Sequence, residues 1–424
     1  MWFHHVTRRV IALGQAVVLT GITTAAAYAA DLPLTLQAAV QQGVAQAPAL
    51  MAHHAHVASM HEEAARAGRL PDPTLDFGVN NFPVTAPGAF SLRSDTMTMR
   101  TVGVTQTIPS RAARDADRQR AGAEIQAADA EGLDTTRSIQ EQVADAWIEL
   151  WATQQKRALL LELRNESELA VKIAQAQLRG GDGNASDALA ARAETATLDN
   201  QLDAVSADIA AAQAALQRWL GQAVANLGDA PDFGQLPVAP ERLAQTIDQQ
   251  APMQMWQARE QVAQAELDQA LASKHPDWNV SFQYGKRAPY LSDMVMIQVG
   301  VTLPLFTRNR QDRSISAKEE QWDAAQEAHE DARRAQREMV ARAVTGWQGW
   351  GRQIQRYQDA LLPLDRDRTK TALAAYRGGG ALQPWLDARR DEIQQRLNYA
   401  DALAARARLW ASLAYLLPTS EAMP

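Results

Sequence analysis

A pair of short, alternating segments is written twice in this chain, about 200 residues apart. "MTMRTVGVTQTIP" (Met97–Pro109) returns as "MVMIQVGVTLPLF" (Met294–Phe306), so that VGVT stands at Val102–Thr105 and again at Val299–Thr302, each behind a Met-x-Met. Three further pairs keep the same order. "LPDPTLDFGV" (Leu70–Val79) parallels "HPDWNVSFQY" (His275–Tyr284), Trp147 parallels Trp347, and "LRGGDGNASDALAARAE" (Leu178–Glu194) parallels "YRGGGALQPWLDARRDE" (Tyr376–Glu392). Two copies make an internal duplication, since a solenoid needs three or more units. The chain is thus expected to divide into residues 1–29, a first repeat at 30–232 and a second at 233–424.

Each repeat follows one plan. A helix rich in Ala, Gln and Glu (about 35–67 and 240–273) leads into two strands, about 73–81 and 96–107, then about 277–285 and 293–304. A long helical stretch follows, 111–178 and 312–377, then a Gly-rich turn at 180–184 and 378–381, then a second helix at 186–220 and 382–417. The first long stretch holds no proline and spans on the order of 100 Å at 1.5 Å per residue. Pro363 is expected to break or kink the second. Helices of this length need coiled-coil packing, and their Ala-rich faces let neighbours approach closely. Neither Gly-rich turn follows a strand or carries a Lys-Ser/Thr, so they read as helix-to-helix turns, not phosphate loops.

The strands alternate. Leu75, Phe77 and Val79 oppose Thr74, Asp76, Gly78 and Asn80; Trp278, Val280, Phe282 and Tyr284 oppose Asn279, Ser281 and Gln283. Val295, Ile297, Val299 and Val301 oppose Met294, Met296, Gln298 and Gly300. Such a sheet suits either a half-buried soluble core or a barrel with lipid outside and water within. A soluble sheet would need a core that long coiled-coil helices do not supply. Four strands cannot close a barrel, so several chains must share one. The fold class expected is mainly α with a small β part.

The chain opens with Arg8 and Arg9, an apolar run from Val10 and small residues ending Ala27-Tyr28-Ala29, the layout of a secretory leader. Without residues 1–29 the net charge falls from −7 to −9, which argues against a nucleic-acid partner. With no cysteine there is no disulfide, thiol chemistry or lipidated N-terminal Cys. No later apolar run is long enough for a membrane-spanning helix.

The motifs "LPDPTLDFGVNNFP", "DTMTMRTVGVTQTIP" and "AAYRGGGALQPWLDARRDEIQ", with the leader and the duplicated plan, resemble the TolC family of outer-membrane efflux proteins, in particular its heavy-metal (CzcC- and CusC-like) branch. The resemblance implies a homotrimer in the outer membrane: a shared 12-stranded barrel, four strands from each chain, continued by a long α-helical tunnel into the periplasm. It implies as partners a periplasmic adaptor, an inner-membrane proton-driven pump of the RND type and outer-membrane lipid. Acidic residues narrow the family's periplasmic aperture; Asp387 of Leu386-Asp387-Ala388 is the candidate here. The acid found three residues earlier in many members is replaced by Pro384, and Asp187 of the first repeat is the candidate substitute. Helix-dipole stabilisation explains both acids equally well. The turns Arg179-Gly180-Gly181 and Arg377-Gly378-Gly379 are the candidate adaptor-facing tips.

Soft-metal handling is a further candidate role. Met97, Met99, Met294 and Met296 fall on the polar side of the strands, where thioethers suit Cu(I) or Ag(I). His53 and His56 lie three apart in a helical "MAHHAHVASMH" and could share an ion; a solvated helix face explains them as well. No nucleophile–base–acid set is present, so neither catalysis nor a cofactor is expected. An outlet for organic compounds or secreted proteins, and a barrel-anchored adhesive coiled coil, remain alternatives.

Overall fold

The computed structural model describes residues 33–417 apart from 86, 182 and 225; the leader expected at 1–29 lies outside them. The chain forms two compact units, residues 33–42 with 146–232 and residues 43–145 with 233–417. The boundary at Asp232–Phe233 is also the boundary of the sequence repeats. Elsewhere the units cut across the repeats, because one uninterrupted helix supplies residues to both.

The helices begin with α1 (Leu36–Gln46) and α2 (Pro48–Arg66). One helix was expected here. The residue before a proline is driven to extended backbone, and Ala47 (φ −64°, ψ 113°) breaks the helix ahead of Pro48. The second repeat has a similar break. α5 (Pro240–Gln245) and a 3₁₀ turn precede α6 (Ala251–Ala272), whose first turn holds Pro252. α3 runs unbroken from Arg111 to Gly180, and α4 covers Ala185–Leu220. The seventy residues of α3 correspond to about 105 Å of helix.

Between α7 (Gln311–Arg356) and α8 (Leu362–Arg377) lies one π-helical turn, Tyr357–Leu361, just ahead of Pro363. The N–H of Leu362 donates to the Tyr357 carbonyl, five residues back. The wider turn accommodates a residue with no N–H and a bulky ring, so the helix bulges where a break or kink was expected. α9 is Gln383–Ala414.

In the first unit α4 buries Ala191, Leu198, Val205 and Ala212 at strict seven-residue spacing, the signature of coiled-coil packing. Trp147 of α3 is fully buried, and its indole N–H donates to the Leu34 carbonyl at 2.9 Å. Leu34 in turn bridges to Leu227 as a short parallel pair. In the second unit a core of Leu243, Ile247, Met253, Val340, Leu413 and Leu416 gathers α5, α6, α7 and the end of α9. Trp347 repeats the first arrangement, donating to the Phe233 carbonyl at 2.9 Å.

The sheet lies within the second unit. β1 (Thr74–Asn80), β2 (Met99–Ile108), β3 (Asp277–Lys286) and β4 (Met294–Thr302) form an antiparallel meander in that order. β2 starts three residues later than expected, because Asp95 turns the chain by accepting the N–H of Met97 at 2.7 Å.

Candidate functional site

The register of the sheet puts every apolar row on one face. Phe77 pairs with Val102, Val102 with Tyr284, and Tyr284 with Val295; Leu75, Val104, Phe282 and Ile297 form the next row. This face is uncovered: Phe77 is 76% exposed, Ile297 72% and Phe282 50%. Full burial of a side chain of this kind is worth about 1.5–3 kcal/mol, and these forgo a large part of it. A contiguous apolar surface of this extent marks an interaction surface. β2 and β3 are ten residues long and β4 nine, the length of tilted strands that cross a bilayer. Aromatic residues bracket the band, Trp278 and Phe306 toward the helices, Tyr284 and Tyr290 toward the strand connections. Aromatic girdles of this kind lie at both interfaces of membrane barrels. No described helix is long and apolar enough to cross a membrane.

The other face is small and polar. Thr105 bonds Asp76 at 2.9 Å across β1 and β2, and Gly103 and Gly300 pair with Gln283 and Asn279 of β3. The methionines fall unequally. Met294 pairs with Gly285 and Met296 with Gln283, both on this face. Met99 is buried, its Sδ 3.1 Å from where a Gly285 Cβ would stand, while Met97 precedes β2 and is 60% exposed. The equal placement expected of the two Met-x-Met pairs is therefore not kept. His53 is half-buried; its Nε2 would lie 2.6 Å from a Cβ at Gly132, whereas His56 is exposed. The two histidines thus meet different surroundings. Among the described residues no three His, Asp or Glu side chains converge as metal ligands.

The two Gly-rich turns share a backbone design. Gly181 (φ +82°) and Gly379 (φ +95°) adopt the left-handed conformation that ends α3 and α8. In the first unit, Asn184 caps α4 by accepting the N–H of Ser186 at 3.0 Å, and Asp187 sits in its first turn. Counting from Gly181 and Gly379, Asp187 falls opposite Trp385, one residue past Pro384. In the second unit Asp387 lies beyond the first turn of α9; it accepts from Gln383 Nε2 at 2.9 Å and sits 3.6 Å from Arg390. Arg179 and Arg377 are exposed in the last turns of α3 and α8.

The second turn also carries a feature that the sequence reading missed. Tyr376 and Trp385 stack with ring planes 6° apart and centroids 5.9 Å apart, both buried, clamping α8 to α9. Below them Arg368 of α8 bonds Asp391 of α9 at 2.7 Å. An aromatic residue on each side of a Gly-rich turn was the available signal.

Residues 243–418 match the model of the family "Outer membrane efflux protein". No curated protein matches the chain. Among solved structures, a membrane protein from Pseudomonas aeruginosa is similar at 17% identity and a TM-score of 0.78, covering 90% of both chains. The outer membrane protein VceC from Vibrio cholerae is similar at 17% identity and 0.73, over 89% of this chain and 94% of that one. CusC, described in connection with transmembrane channel formation, is similar at 17% and 0.73, over 90% and 92%. The family is one of channels, not enzymes. Residues 243–418 thus belong to the outer membrane efflux protein family, and the chain has the mainly helical, small-sheet fold of the TolC-like channels.

Proposed function

We propose that this protein is the outer-membrane channel of a tripartite efflux system, a homotrimer in which three four-stranded sheets close one barrel. The uncovered apolar face of the sheet carries the reading. In water that face would be an aggregation surface; against lipid it is the required one. β1 and β4 are the free edges of the meander. Unpaired strand edges are not tolerated in hydrocarbon. With an even number of strands, β4 of one copy meets β1 of the next antiparallel. The helices then extend from the barrel as a periplasmic tunnel, and its Gly-rich tips meet a periplasmic adaptor and an inner-membrane RND-type pump. The test is assembly and conduction. Detergent-extracted protein should scatter light as a trimer and open stepwise conductances in planar bilayers; a monodisperse monomer without conductance refutes the channel.

The cargo in this reading is a heavy-metal ion, with Met294, Met296 and exposed His56 as weak, exchangeable stops; conduction favours such sites over one tight one. A second reading, an outlet for organic compounds, fits the channel fold equally well, and the burial of Met99 leaves one thioether fewer along a metal path. Deletion of the gene separates the two. Sensitisation to copper, silver, zinc or cobalt supports the metal cargo, and sensitisation to dyes and detergents alone supports the other.

A further inference from the structure

Arg100 and Lys286 stand directly opposite each other on β2 and β3. Strand alternation puts both on the apolar face, Arg100 two residues beyond Val102 and Lys286 two beyond Tyr284, at the end of the sheet away from the helices. Like charges facing each other across a strand pair destabilise it. Arg93 and Arg287 add to them, and the four cations with the single carboxylate of Asp293 line an open pocket of about 420 Å³. That leaves an excess of three positive charges. Asp293 is already engaged: it accepts the Tyr284 O–H and, at 3.2 Å, the Arg287 N–H. The Arg287 guanidinium is held by the Thr96 carbonyl, 3.0 Å from Nε. Arg93, Arg100 and Lys286 are exposed; Arg100 and Lys286 feel the Asp293 charge, but none of the three is in an ion pair within 4.0 Å among the described residues.

We propose that this cluster is a binding site for lipid-borne phosphate, the headgroup phosphates of an anionic lipid in the leaflet at the loop end of the sheet. The proposal rests on the membrane reading above. It follows from the cations sharing a face with Val102, Val104 and Phe282: an amphiphile can lay acyl chains on the apolar rows while its phosphates bridge Arg100 and Lys286. A phosphate accepts several charge-assisted hydrogen bonds and cancels the repulsion between the two strands. In the membrane reading those apolar rows already face acyl chains, so an anionic lipid seated there carries its phosphates to the cations at the same level.

The test is native mass spectrometry of the detergent-extracted wild-type protein titrated with diphosphoryl lipid A, beside an Arg100→Gln/Lys286→Gln double variant and an Arg93→Gln variant. The double variant should bind the lipid about tenfold more weakly, equivalent to ~1.4 kcal/mol. Arg93→Gln should show a smaller loss, and inorganic phosphate in excess should leave wild-type lipid binding unchanged. Equal binding by wild type and double variant overturns the site. Displacement of the lipid by inorganic phosphate overturns its assignment to lipid. Vesicle flotation of the same proteins separates this failure from the larger one. Wild-type protein that does not float refutes the membrane reading and the site with it; protein that floats while the double variant still binds lipid A as wild type does refutes the site alone.

Discussion

Gly103 lies under the side chain of Gln283, so close that a Cβ built on the glycine would meet Gln283 Cγ at 2.5 Å and the Phe282 carbonyl at 3.0 Å. Gly300 stands in the same relation to Asn279. The glycine of each VGVT copy therefore makes room for an amide side chain of β3, which lies between β2 and β4. Gly103→Val should force β2 away from β3 at a cost of about 1–3 kcal/mol, the range for overpacking. The yield of folded oligomer by light scattering should fall. A variant that assembles as wild type would show that Gln283 swings aside freely.

Trp147 and Trp347 tie the ends of two long-range loops, to Leu34 and Phe233. Trp147 is fully buried and Trp347 partly so, and Trp347 also lies under the Arg406 guanidinium at 4.7 Å. Trp147→Phe should cost about 1–3 kcal/mol from lost bonding and packing, and Trp147→Ala about 3–5 kcal/mol. Urea midpoints followed by circular dichroism measure both. Equal midpoints for Trp147→Phe and wild type would leave the indole N–H without a structural role.

Burial pushes the Tyr415 phenol up to about 12. A raised pKa means that the fold holds the proton more tightly than the unfolded chain does. The stabilisation is whole below pH 10 and is lost as pH rises from about 10 toward 12. Tyr415→Phe should flatten this alkaline decline, seen as thermal midpoints at pH 9 and pH 11. A decline as steep as that of wild type would place the alkaline weakness elsewhere.

Asp387 is restrained by Gln383 and faces Arg390 at 3.6 Å, an exposed pair worth little by itself. In the channel reading three copies of this acid narrow the aperture. Asp387→Ala should raise single-channel conductance and weaken block by multivalent cations, and Arg390→Ala, which leaves the carboxylate uncompensated, should strengthen the block. Unchanged conductance and block in both variants assign Asp387 to α9 alone.

Much of this architecture is local and so was legible in the sequence. The period-two alternation of Phe282 and Tyr284 against Ser281 and Gln283 sets the faces of a strand before any partner is known. A proline-free run from Arg111 gives the length of α3, and Gly181 and Gly379 mark its turn and that of α8, since few other residues take positive φ cheaply. What lay beyond reach depends on which distant residue arrives opposite. Burial of Met99 on Gly285, insertion of His53 at Gly132 and the opposition of Arg100 to Lys286 each join segments far apart in the chain. Met99 and Met296 look equivalent in the sequence because alternation specifies a face; pairing register specifies a neighbour, and register is decided only when separate strands pack.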